Sequence, residues 1–206
     1  MSKNSIGVAV LVSGGGTNLQ AIIDAKSRGE LPSVSLNAVI ASNPSAYALT
    51  RAKTASVPAF VVDKKSAGSK EEFEARIKKI VKENDCEVIV LAGFMSILSE
   101  SFTKEFDERI INVHPSLIPS FCGEGYFGLK VHEEALKRGV KVTGATVHFV
   151  NEIPDGGKII MQKAVKIADG DTPEKLQKKV MRQAEWKILP ASLEKVCKNI
   201  LENRGK

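Results

Sequence analysis

Cysteine is scarce in this chain: Cys86, Cys122 and Cys197 are an odd number, widely spaced, with no Cys-x-x-Cys pair. That usage excludes a disulfide framework and a zinc site as organising features. Aromatic residues make up only 5%, with one Trp and two Tyr. The stacking platforms of single-strand nucleic-acid binders are therefore missing. No apolar run approaches the ~18 residues of a membrane span. Met1-Ser2-Lys3-Asn4-Ser5 meets a strand-like run within a few residues, which leaves no room for a secretory leader. Sixteen Gly and eight Pro are ordinary counts for 206 residues, so collagen-like and low-complexity readings fall away. The expectation is a soluble, cytoplasmic protein.

What is present is an ordinary balance of 43% hydrophobic and 26% charged residues. A chain of this length buries roughly 70% of the surface it exposes when unfolded, enough for a core without metals. No repeat, linker or composition shift divides it, so one domain over 1–206 is expected. The net charge of +6 favours an anionic partner, but mildly. Lys78, Lys79 and Lys82, like Lys175, Lys178 and Lys179, have acids nearby in the sequence and read as solvated helix faces. Neither nucleic acid nor a membrane is expected as a partner.

Along the chain, continuous apolar runs alternate with helical spacing, the order of βαβ units. Strands are expected over 6–12, 36–41, 59–62, 88–92 and 110–113. Helices are expected over 18–28, 46–55, 70–83 and near 99–106. Continuous Val, Ile and Leu runs of this kind imply a parallel sheet covered on both faces. The fold class is α/β, a Rossmann-like mostly parallel sheet flanked by helices. After residue 113 the rhythm changes to a Pro- and Gly-rich loop over 114–128 and a helix over 131–137. Two strands follow, 143–150 and 158–165, joined by a compact connection over 151–157. A last helix starts near Thr172-Pro173-Glu174, with Thr as cap and Pro at the first helical position, and is expected to break at Pro190.

The first βα turn, Ser13-Gly14-Gly15-Gly16-Thr17-Asn18, carries the sharpest local signal. It sets unobstructed backbone N–H groups at a helix N-terminus, where donors and dipole favour a phosphate. The plain alternative is a tight turn with a cap. A P-loop is excluded because no Lys follows Gly16, and the dinucleotide fingerprint fails because Leu19 stands where its third Gly belongs. Asn112 and His114, two apart at the end of a parallel strand, point to one side, at the edge where such sheets bind ligands. An amide donor beside an imidazole suits a reaction that passes through an oxyanion; a His there can also merely tie down a loop. Asp155, before Gly156 and Gly157, reads locally as a turn former. His132, at a helix start, reads as exposed, and His148, on the face of Thr146, as a hydrogen-bonded core histidine. Gly93-Phe94-Met95 follows a strand and offers either core packing or a slot for a flat heterocycle.

Four segments together resemble one family: Val12-Ser13-Gly14-Gly15-Gly16-Thr17-Asn18-Leu19-Gln20-Ala21-Ile22; Leu91-Ala92-Gly93-Phe94-Met95; Asn112-Val113-His114-Pro115-Ser116-Leu117-Ile118-Pro119; and Thr143-Gly144-Ala145-Thr146-Val147-His148-Phe149-Val150. They are similar, in matching order over about 6–190, to the phosphoribosylglycinamide formyltransferase family. That resemblance implies formyl transfer from 10-formyltetrahydrofolate to the amine of phosphoribosylglycinamide in purine biosynthesis, with small-molecule partners, no metal, and a monomer or homodimer. It implies an antiparallel element in the C-terminal third. It makes Gly15, Gly16, Thr17 and Asn18 the phosphate cradle and Asn112, His114 and Asp155 the catalytic trio, with Asp155 favouring a charged imidazole. Phe94, Met95, Ile97 and Leu98 become folate-binding residues, with Lys70 near the benzoyl-glutamate end. Glu185 becomes a ribonucleotide contact, after a one-residue shift in its helix. Ser96 and Lys70 stand where many relatives carry Arg, and the 121–128 loop is longer than in many. The rival readings are a 10-formyltetrahydrofolate hydrolase, which normally carries a further N-terminal domain, and a non-catalytic phosphosugar-binding module.

Overall fold

The structure, a computed structural model, describes residues 4–204, so Met1-Ser2-Lys3 of the leader argument lie outside it. Five strands, β1 (Ile6–Val12), β2 (Val34–Ala41), β3 (Ala59–Val61), β4 (Val88–Leu91) and β5 (Ile110–His114), pair in parallel. Two more, β6 (Val142–Phe149) and β7 (Ile159–Lys166), add to β5 in antiparallel fashion, giving the order β3-β2-β1-β4-β5-β6-β7. The mostly parallel sheet with an antiparallel C-terminal element is as expected.

All seven residues of β1 are buried, because helices cover both faces of the sheet. Val8, Val10 and Val12 pack on one side with Leu19, Ile22, Leu189 and Leu193. Ala9 and Leu11, pointing the other way, pack with Ile40, Phe73, Ile77 and Phe102. The first layer is built from α1 (Thr17–Ser27), α2 (Ala48–Thr54), α6 (Pro173–Val180) and α7 (Trp186–Asn203), the second from α3 (Lys70–Glu83) and α4 (Glu100–Glu105). The start of α3 follows from its cap: Ser69 accepts from the Glu72 N–H at 3.1 Å. Thr172 caps α6 in the same way, with Pro173 opening the helix. Helix α5 (Leu129–Arg138) ends at Gly139, which takes the left-handed conformation of a C-terminal stop.

One expectation is corrected here. Pro190 does not break the last helix; α7 runs through it. The irregularity lies upstream, in a π-helical turn over Met181–Glu185. A π turn inserts one residue into the helical register, and this one ends at Glu185. Pro190 lies inside α7 and is buried with Ile188, Leu189 and Leu193, so packing keeps the helix continuous despite the missing N–H.

Candidate active site

The glycine turn is braced from three sides. Gly16 is left-handed (φ 70°) and precedes α1, and no side chain caps the helix. The orphan N–H groups of its first turn are thus unclaimed by any cap. Arg51 of α2 donates from Nε to the Gly15 carbonyl at 2.8 Å and from Nη1 to Gln20 at 2.9 Å. Ser13 Oγ receives the Met95 N–H at 3.0 Å, which ties the turn after β1 to the segment after β4. Asn18 donates to Glu185 Oε2 at 2.8 Å. Burial pushes the Glu185 carboxyl up to about 7, against the opposing effect of that hydrogen bond.

Asn112 and His114 alternate along β5 and emerge on one side of it. Antiparallel pairing sets His148 of β6 opposite Asn112 and Thr146 opposite His114. His148 Nδ1 donates to the Phe149 carbonyl at 2.7 Å. Its Nε2 lies 3.2 Å from Asn112 Nδ2 and 3.4 Å from Asp155 Oδ1. Nε2 thus sits between an amide that can donate to it and a carboxylate that can accept from it, which ties Asn112, His148 and Asp155 together.

His114, only 4% exposed, has both nitrogens engaged. Nε2 donates to the Phe121 carbonyl at 2.8 Å, and Nδ1 faces Asp155 Oδ2 at 3.3 Å. The same Oδ2 accepts the Gly123 N–H at 2.9 Å. Phe121 and Asp155, on either side of the imidazole, both take left-handed backbone conformations, φ 50° and 56°. Such conformations cost of order 1–3 kcal/mol each for non-glycine residues and cluster at functional sites. Asp155 is thus both a turn former and a partner of His114.

Burial holds the His114 imidazole below the ordinary histidine range, outweighing the raising effects of Asp155 and the Phe121 carbonyl. Burial works the other way on Asp155, but hydrogen bonding from His148, the neighbouring His114 ring and the Gly123 N–H together keep its carboxyl below the usual range. The pair is an ionised carboxylate beside a neutral imidazole. Asp155 does favour the charged ring, as expected, but in this buried setting desolvation is the larger effect.

Two cavities meet at these residues. The larger, 660 Å³, is lined by Asn18, His114, His132, Gln177 and Glu185 among others. The smaller, 130 Å³, is lined by Leu91, Leu98, His148, Val150 and the 151–155 loop. Phe94, Ser96, Ile97, Asn112, Pro154 and Asp155 belong to both. Phe94 stacks on Phe73 with ring centroids 6.2 Å apart, and Met95 lines the larger cavity alone. The glycine turn borders that cavity at Asn18, while Thr17 lines a neighbouring cleft with Gln20, Arg51 and Trp186. Gly15 and Gly16 line neither cavity, and Lys70, exposed at the start of α3, is likewise in neither lining.

Residues 6–193 match the sequence profile of a family described as formyl transferase. The chain belongs to that family. It is 40% identical over 202 residues to the trifunctional purine biosynthetic protein adenosine-3 of Gallus gallus, covering 98% of this chain and 19% of that protein. Over 183 residues it is 40% identical to the phosphoribosylglycinamide formyltransferase of Haemophilus influenzae, covering 89% of this chain and 83% of the relative. Among solved structures, glycinamide ribonucleotide transformylase 1 from Symbiobacterium toebii matches with a TM-score of 0.89 at 36% identity, covering 96% of this chain and 90% of that one. The chain thus spans about a fifth of the trifunctional relative and most of the Haemophilus one.

Three features of this chain were missed from the sequence. His132 is fully buried, not exposed, because α5 turns it inward beside Val131. His148 is the buried, hydrogen-bonded histidine expected, yet it also reaches Asn112 and Asp155, which only the β5–β6 register reveals. Arg51 anchors the glycine turn from a different helix, and no local motif signals it. Among the described residues, no helix is long and apolar enough to cross a membrane.

Proposed function

We propose that this chain transfers the formyl group of 10-formyltetrahydrofolate to the amine of 5′-phosphoribosylglycinamide, as in de novo purine biosynthesis. The observation that carries the reading is the junction of two cavities at Asn112 and Asp155. One cavity reaches Asn18 and Glu185 and suits a phosphosugar; the other, walled by Phe94, Leu98 and Val150, suits a flat heterocycle. A direct transfer needs both reactants at one place. The names of the relatives point to the same chemistry.

In this reading the neutral glycyl amine attacks the formyl carbon on folate N10. A tetrahedral oxyanion results. Asn112 Nδ2 carries two hydrogens, one directed to His148 and the other left for the oxyanion. The His114 Nε2–H is held by the Phe121 carbonyl, which leaves Asn112 as the oxyanion donor. Its neutral Nδ1 faces Asp155, so a proton gained there forms an ion pair with the carboxylate. The amine proton passes to this pair, directly or through water, and then to N10 as the C–N10 bond breaks. The products are the formamide and tetrahydrofolate, with every proton accounted for.

The test is consumption of 10-formyltetrahydrofolate with and without phosphoribosylglycinamide. The proposal predicts tetrahydrofolate release that depends on the acceptor and matches formamide formation. Equal rates without acceptor would mean hydrolysis. Acceptor binding with no folate-dependent product would mean a binding module.

A further inference from the structure

His132 has no accessible surface, yet neither of its ring nitrogens has a hydrogen-bond partner among the described residues. Buried polar groups in native folds are nearly always paired, so an orphaned imidazole needs an explanation. Its place supplies one. His132 stands in the first turn of α5 and lines the larger cavity together with Asn18, His114, Gln177 and Glu185. It is absent from the lining of the smaller cavity. It therefore lies on the phosphosugar side of the Asn112–Asp155 junction. A second orphan, Asn18 Oδ1, lines the same cavity. His114, the other imidazole there, already has one nitrogen on a carbonyl and the other against a carboxylate.

We propose that His132 contacts the acceptor substrate, its two ring nitrogens giving and taking hydrogen bonds with the uncharged glycinamide arm between the phosphosugar and the reacting amine. The inference rests on the formyl-transfer reading above. Burial and the nearby His114 hold the His132 ring down to about 4. Near pH 7 it therefore offers one N–H and one lone pair. That pairing matches an amide or a free amine and is poorly matched to a phosphate, which takes only donors.

The test is His132→Phe, which keeps a flat ring of similar size and removes both hydrogen-bonding atoms. Phosphoribosylglycinamide binding is measured by calorimetry without folate, and KM for 10-formyltetrahydrofolate is measured separately. We expect the acceptor Kd to rise by about 10- to 100-fold, in the range of two lost hydrogen bonds, with the folate KM unchanged. Thermal stability should hold or rise, because an orphaned polar group has been replaced by an apolar one. An unchanged acceptor Kd in the folded variant would overturn the inference. Should the variant not fold, the ring ¹⁵N resonances of His132 in the unmodified protein serve instead. Acceptor titration should move them, and resonances that stay fixed at saturation would overturn it. No acceptor binding by the unmodified protein would overturn the formyl-transfer reading itself, and this inference with it.

Discussion

Replacing Gly157 by alanine would drive a methyl group into the backbone of β6. A Cβ at that position lies 1.8 Å from the Phe149 carbonyl oxygen and 2.6 Å from its carbon. Both are main-chain atoms and cannot rotate away. The loop and strand must part by roughly 1.5 Å to regain ordinary van der Waals separation. Asp155 is two residues upstream, and its Oδ2 holds His114 Nδ1 at 3.3 Å and the Gly123 N–H at 2.9 Å. A displacement of that size breaks both contacts, and misplacing a reacting group by ~1 Å can cost ~10²-fold in rate. We therefore expect Gly157→Ala to lower kcat/KM by about 10²-fold. The overpacking should also cost ~1–3 kcal/mol of stability, read from urea denaturation. A variant with unaltered kcat/KM would refute the argument that this close approach sets the position of Asp155.

Asn112→Ala should lower kcat by ~10²–10³, the usual loss for one oxyanion donor, while the affinity for both substrates changes little; near-normal turnover would remove Asn112 from the mechanism. Gly16→Ala should lose ~2–4 kcal/mol, because its φ is +70° and a Cβ would meet Ala48 at 2.7 Å. Gly15→Ala has open space and should leave the fold intact while weakening acceptor binding; equal urea midpoints for the two variants would contradict this. Glu185 predicts a pH effect of definite sign. Its carboxyl, raised from 4.5 to about 7 in the fold, contributes stability that is full below pH 4.5 and lost as pH climbs through 7. That amounts to about 3 kcal/mol. The stability difference between the unmodified protein and Glu185→Gln should shift by that much across the window, and a constant difference would rule it out.

Much of this was legible before any coordinates. Helix α3 matches its expected bounds because Ser69 marks the start and Phe73, Ile77 and Val81 share the buried face. The β1 run and its glycine turn, and the two-residue spacing of Asn112 and His114, were equally local signals. What stayed hidden depends on contacts far apart in sequence. His132 sits in Lys130-Val131-His132-Glu133-Glu134, a mostly charged stretch that reads as surface; packing of α5 against the rest of the fold decides otherwise. The partnership of His148 with Asn112 needs the antiparallel register between β5 and β6. The Phe121 carbonyl on His114 needs a backbone conformation that no residue preference would place on a phenylalanine. Pro190 misled because α7 is held by its buried face, Ile188, Leu189, Leu193 and Val196, which a local breaker does not report.

The central claim is that the phosphosugar and the folate are held in two cavities that meet at Asn112 and Asp155. A crystal structure with phosphoribosylglycinamide and an unreactive analogue of 10-formyltetrahydrofolate tests it most directly. We predict the phosphate against the backbone of Gly15, Gly16 and Thr17, the heterocycle beside Phe94 and Leu98, and the glycyl amine facing N10 next to the Asn112 amide. A phosphate bound elsewhere, or an amine and N10 separated by the body of the sheet edge, would contradict it.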